Sequence, residues 1–68
     1  MLGEKIKKYL SENGIKQTFV SEKVGIPDPA FSDVLSGKRK ITAIEYYRLC
    51  KTLKVPMEFF LEDEEGDD

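Results

Sequence analysis

Histidine and tryptophan are absent from this sequence, and cysteine occurs once, at Cys50. One cysteine excludes an intrachain disulfide, and without histidine the usual Cys/His zinc sets cannot be assembled. Long apolar runs are missing too. The longest, such as Phe59-Phe60-Leu61, fall far short of the roughly 20 residues a membrane-spanning helix needs. Met1-Leu2-Gly3 leads directly into Glu4-Lys5 with no apolar h-region, so no secretory signal is read here and the chain is expected in the cytoplasm. No β-branched stretch alternates with a period of two, which removes strands. A Gly-rich phosphate loop, a nucleophile–base pair and a metal-ligand cluster are all missing from the pattern. The sequence is therefore not expected to be an enzyme or to carry a cofactor or metal.

What remains is a chain of 68 residues, 40% hydrophobic and 35% charged. That composition fits one small helical domain better than a disordered chain. A domain of this size buries only about 60% of the surface its unfolded form exposes, so its core is thin. The net charge of −2 conceals a division along the chain. All 11 Lys and Arg precede Glu62, whereas six of the 13 acids lie in 62–68. The body therefore carries seven acids against eleven bases, +4, and the tail −6. Such a basic body is suited to meet phosphate.

The punctuation is helical from end to end. Leu2, Ile6, Tyr9 and Leu10 recur at helical spacing, and Gly14-Ile15 is placed to close a first helix by folding Ile15 back on Leu10. A second helix starts near Gln17, behind the poor N-cap Lys16, and carries Val20 and Val24 on one face. Gly25 ends it, and Ile26 is placed to pack back on Val20. In Pro27-Asp28-Pro29 the spacing predicts Asp28 as N-cap and Pro29 as first residue of a third helix. Phe31, Val34 and Leu35 form its inner face, and Gly37 stops it. Thr42 and Glu45 read as a capping box for a fourth helix, with Ile41 and Tyr46 at the staple positions. Its inward stripe takes Tyr46, Leu49, Cys50 and Leu53, with Cys50 as a small core residue. Val55-Pro56 breaks it, and Met57-Glu58-Phe59-Phe60-Leu61 reads as a fifth, short helix. The expected architecture is all-α, a compact five-helix domain over 1–61 followed by an acidic tail, 62–68, read as disordered.

The second helix, the glycine turn and the third helix make the informative unit. Two helices crossing closely want a small residue at the crossing and glycine in the turn, and Ser21 and Gly25 meet both demands four residues apart. With Gln17 opening helix two, Gly25-Ile26 in the turn, Val34, Ser36-Gly37-Lys38-Arg39 after helix three, and Leu49 through Val55 closing helix four, the chain resembles the lambda-repressor-like (Xre/Cro type) helix-turn-helix DNA-binding domains. The resemblance spans 2–61.

That resemblance implies sequence-specific binding of double-stranded DNA, with helix three in the major groove and helix two across the backbone. Carried onto this chain, the phosphate contacts are Lys16, Gln17, Thr18, Ser36, Lys38, Arg39 and Lys40. The positions facing base edges are Asp28, Pro29, Ala30, Ser32 and Asp33. Here the sequence departs from the family, whose members often carry Gln, Arg, Ser or Thr at these places. None of the five can make a bidentate Arg–guanine or Gln–adenine contact. Asp33 reads equally as a solvated acid or as an acceptor for cytosine N4, and Asp28 reads first as a helix cap.

Among the remaining residues, Met57, Phe59, Phe60 and Leu61 crowd four large apolar groups into five positions. One turn cannot bury them all, so they form the expected homodimer interface. A two-fold dimer sets two recognition helices about 34 Å apart, one turn of DNA. Tyr47 belongs on the surface or at an interface. Phe19 reads as a partly covered flank of the core, with a contact surface as the alternative. The tail is a solubilising end, or else it competes with DNA for Lys38-Arg39-Lys40 or meets a basic protein partner. The functional expectation is a regulator, in particular a homodimeric repressor on an inverted repeat. The alternative is a protein-interaction module on the same scaffold, an antirepressor or antitoxin-like subunit.

Overall fold

The computed structural model describes residues 2–61; the acidic tail, 62–68, lies outside them. Four α-helices follow one another: α1 (Leu2–Glu12), α2 (Gln17–Val24), α3 (Asp28–Ser36) and α4 (Ala43–Leu53). A 3-10 turn, Met57–Phe60, completes the described part. The all-α expectation holds; the short fifth helix is a 3-10 turn and not an α-helix, so the described residues hold four α-helices and not five. Only four residues separate Pro56 from Leu61, and their amides close i→i+3 bonds, Phe59 N to Pro56 O and Leu61 N to Glu58 O, both 3.0 Å.

Each helix stops by reversing into a left-handed residue, and the first three do so at the glycines that mark their ends in the sequence. Ile15 N donates to Leu10 O at 2.9 Å across Gly14, which stands at φ +63°. Gly25 and Gly37 close α2 and α3 in the same way, at φ +87° and +88°. At the end of α4 the left-handed place is taken by Lys54, φ 60°, where no glycine marked it; Val55 N still reaches Cys50 O at 3.0 Å. The start of α4 is the capping box read from the sequence. Glu45 N donates to Thr42 Oγ1, and Thr42 N donates to Glu45 Oε1.

The helices pack so that α1 lies against α3 and α2 against both α3 and α4, with the 3-10 turn sealing α1 and α4. Phe31, Ile6, Leu49, Val20, Val24 and Cys50 are fully buried at the centre, joined by Leu10, Ile26, Val34, Leu35, Tyr46 and Phe60. Burying a side chain such as Phe31 contributes about 3 kcal/mol. Where α1 meets α3 no side chain fits between. A Cβ built on Gly3 falls 2.2 Å from the Val34 carbonyl oxygen and 2.9 Å from that of Leu35. At the far end Tyr9, Phe59 and Phe60 meet edge to face, ring centres 5.0 to 5.6 Å apart. The Tyr46 hydroxyl donates to the Met57 carbonyl. Burial, then the neighbouring Cys50, pushes the Tyr46 phenol well up, and burial likewise raises the Cys50 thiol, which stays a protonated core residue.

Candidate nucleic-acid interface

Helices α2 and α3 are joined by Gly25-Ile26-Pro27, and both Gly25 N and Ile26 N donate to the Ser21 carbonyl, at 2.9 and 3.0 Å. Ile26 is buried, so the turn is held from inside. Ser21 sits buried at the crossing. Its hydroxyl lies 3.0 Å from the Thr18 carbonyl oxygen and 3.3 Å from Asp28 Oδ1, reaching from α2 to the first residue of α3. From α4, Arg48 Nη1 donates to the Val24 carbonyl at 3.4 Å, covering the end of α2.

The expected cap of α3 shifts by one residue. Pro27, extended at φ −56°, ψ 144°, is the N-cap, because Phe31 N donates to its carbonyl at 2.9 Å; Asp28 is the first helical residue and Pro29 the second. The Asp28 carboxylate therefore caps nothing. It stands in the first turn, where the helix dipole favours it, and accepts from Ser21. Asp28, Pro29, Ser32 and Asp33 are exposed along one side of α3, whereas Ala30 is half-buried against the core.

The start of α2 is bare by comparison. Lys16 precedes it in extended conformation without any side-chain cap bond, as its lack of an acceptor dictates, and the first turn contains no acid. The opening amides of a helix have no intrahelical acceptor, so this end presents N–H groups and positive dipole to an anion. Lys16 and Thr18 are exposed there, and Gln17 is half-buried.

Past α3, the Asp33 carbonyl gathers four donors: Gly37 N, Lys38 N at 2.8 Å, Arg39 N at 3.2 Å and Ser36 Oγ at 3.2 Å. This fixes the backbone of the basic run to the last turn of α3. Lys38 and Lys40 are exposed on either side of Arg39. Arg39 itself folds onto α4. Its Nη1 and Nη2 donate to Glu45 Oε1 and Oε2 at 3.2 and 3.1 Å, a two-point pair. Arg39, and after it the Thr42 amide, hold the Glu45 carboxyl below the usual carboxylate range. Glu45 as a capping residue and Arg39 as a phosphate contact are each expected from the sequence, but their pairing is not, since six-residue spacing across a loop offers no signal.

Of the four apolar residues expected at an interface, Met57, Phe59 and Leu61 are exposed, at 42%, 43% and 37%, whereas Phe60 is 3% exposed and belongs to its own chain's core. Phe19 is half-exposed with Lys23 Nζ 5.8 Å from its ring centre, and Tyr47 is likewise exposed beneath Lys51. Among the described residues no helix is long and apolar enough to cross a membrane. A family model described as helix-turn-helix matches residues 6–60. No curated protein matches the chain.

Proposed function

Because the chain belongs to the lambda-repressor-like helix-turn-helix family, and is thereby a DNA-binding regulator, we propose that it acts as a transcriptional repressor, binding an inverted-repeat operator as a homodimer. The observation that carries this reading is the flanking of one exposed helix face by two anion-seeking features. The uncapped, acid-free start of α2 lies before α3 in the chain, and Lys38 and Lys40 follow it on a loop tied to the Asp33 carbonyl. Phosphate contacts at Lys16, Gln17, Thr18, Ser36, Lys38, Arg39 and Lys40 would set the register of α3, leaving Pro29, Ser32 and Asp33 toward the bases. Met57, Phe59 and Leu61 supply the apolar surface for self-association. Occupancy of promoter DNA is then sufficient for repression.

Selection of bound duplexes from a random double-stranded pool at near-physiological salt tests it. Enrichment of an inverted repeat with half-sites about one helical turn apart is expected. Each phosphate contact contributes about −0.9 to the log–log salt slope, so replacing Lys38 and Lys40 by alanine should flatten it by about 1.8 per subunit. A second reading draws on the acids of α3. Asp28 and Asp33 are both exposed, and no Arg, Gln or Asn lies on this helix. Should the pool yield no enriched sequence, a protein-interaction module takes precedence over the repressor.

A further inference from the structure

We infer that Glu45 is a positioning residue for DNA binding: through Arg39 it presets the basic run 38–40 that follows α3. The inference rests on the DNA-binding reading. The run has two attachments. On one side Lys38 N and Arg39 N donate to the Asp33 carbonyl of α3; on the other the Arg39 guanidinium is forked onto Glu45 at the start of α4. Glu45 is itself held, since its Oε1 also accepts from Thr42 N at 2.9 Å. A carboxylate fixed by the cap of one helix thus fixes a cation on the loop leading into that helix.

The pairing leaves Arg39 usable. A guanidinium carries five N–H donors, and Glu45 takes one from each terminal nitrogen. Three N–H groups remain on a side chain that is still 36% exposed, in an orientation already chosen. A long arginine free in solution must be ordered when it meets phosphate; one already forked loses less on binding. The flanking Lys38 and Lys40 inherit the same fixed backbone.

Charge and positioning predict opposite signs, which makes the test decisive. Glu45→Gln removes a negative charge beside the basic run, so electrostatics alone would tighten DNA binding. Glutamine is accepted in a capping box, so the start of α4 survives. If Glu45 positions Arg39, Glu45→Gln weakens binding to a random-sequence duplex by about two- to tenfold, the cost of ordering one long side chain on binding. Arg39→Lys, which keeps the charge and loses the fork, should do the same. In an Arg39→Ala background, Glu45→Gln should no longer weaken binding. Affinities at several salt concentrations, with circular dichroism to show that each variant is folded, supply the readout. Equal or tighter binding by Glu45→Gln in the wild-type background overturns the inference, as does a weakening that persists without Arg39. A wild-type chain with no salt-dependent binding overturns the DNA reading itself, and the inference with it.

Discussion

The hydroxyl of buried Ser21 lies 3.3 Å from Oδ1 of Asp28, joining the middle of α2 to the first residue of α3. The same hydroxyl lies 3.0 Å from the Thr18 carbonyl. One proton serves both acceptors, so the contact with Asp28 is a shared one. It links an acid at the tip of α3 to the neighbouring helix, beside the turn that joins the two. Asp28 is thereby a strut of the motif as well as a member of its exposed face.

The strut has a measurable coupling. Ser21→Ala and Asp28→Ala should each destabilise the domain by about 1 kcal/mol, and the double variant by about 0.5–1 kcal/mol less than the two together. Urea denaturation of the four proteins gives the cycle. Strict additivity would show that the contact contributes nothing.

Gly3 sets how closely α1 approaches α3. A methyl group there overlaps the Val34 and Leu35 carbonyl oxygens, at 2.2 and 2.9 Å. These are backbone atoms, which cannot swing aside like a side-chain end. Overpacking of this kind costs about 1–3 kcal/mol, against a gain of up to about 1 kcal/mol from alanine's helix propensity. Gly3→Ala should therefore lower the thermal midpoint, by roughly 4–8 °C for each kcal/mol of net loss. An unchanged midpoint in a thermal melt would mean that α1 shifts freely over α3.

At the end of α4 glycine would be the stabilising residue. Lys54 occupies φ 60°, a region that L-residues enter at a cost and glycine does not. Lys54→Gly should stabilise the domain by about 0.5–1 kcal/mol, seen as a higher urea midpoint at constant slope. A lower midpoint would show that the Lys54 side chain makes a contact worth more than the backbone relief.

Acid should act on the pair at the start of α4. The Glu45 carboxyl titrates below its ordinary range because Arg39 and the Thr42 amide stabilise its charged form. A carboxyl depressed by folding adds stability above its unfolded pKa, about 4.3, and that contribution disappears as pH falls through the lower folded value. Wild type should exceed Glu45→Gln in stability near neutrality, and the gap should narrow below about pH 4.3. Denaturation midpoints measured from pH 6 to pH 3 decide it; a gap independent of pH would remove the linkage.

The fold was legible because its signals are local. Gly14, Gly25 and Gly37 end their helices by a backbone conformation that glycine tolerates best, and Thr42 with Glu45 forms a cap within four residues. What escaped the sequence depends on contacts between distant segments or on marks that are not unique. Pro27-Asp28-Pro29 offers two extended residues to start α3, and the bond from Phe31 N selects the earlier. Lys54 holds a glycine's place without being one. Gly3 is read as helix interior until α3 is seen against it. Of the expected interface group, Phe60 is turned inward, where it meets edge to face the ring of Tyr9, on a helix some fifty positions earlier. For the site, the residue types around α3 could be named from order alone, but the fork between Arg39 and Glu45 could not.

The inward turn of Phe60 also bears on how the protein is made. Its ring follows every other buried core group among the described residues in chain order, yet it packs against Tyr9 of the first helix, and the Tyr46 hydroxyl donates to the Met57 carbonyl. A nascent chain that has released α1 to α4 still lacks the piece that closes them. Without residue 60 the ring of Tyr9 loses its buried partner, and the core stays open between α1 and α4.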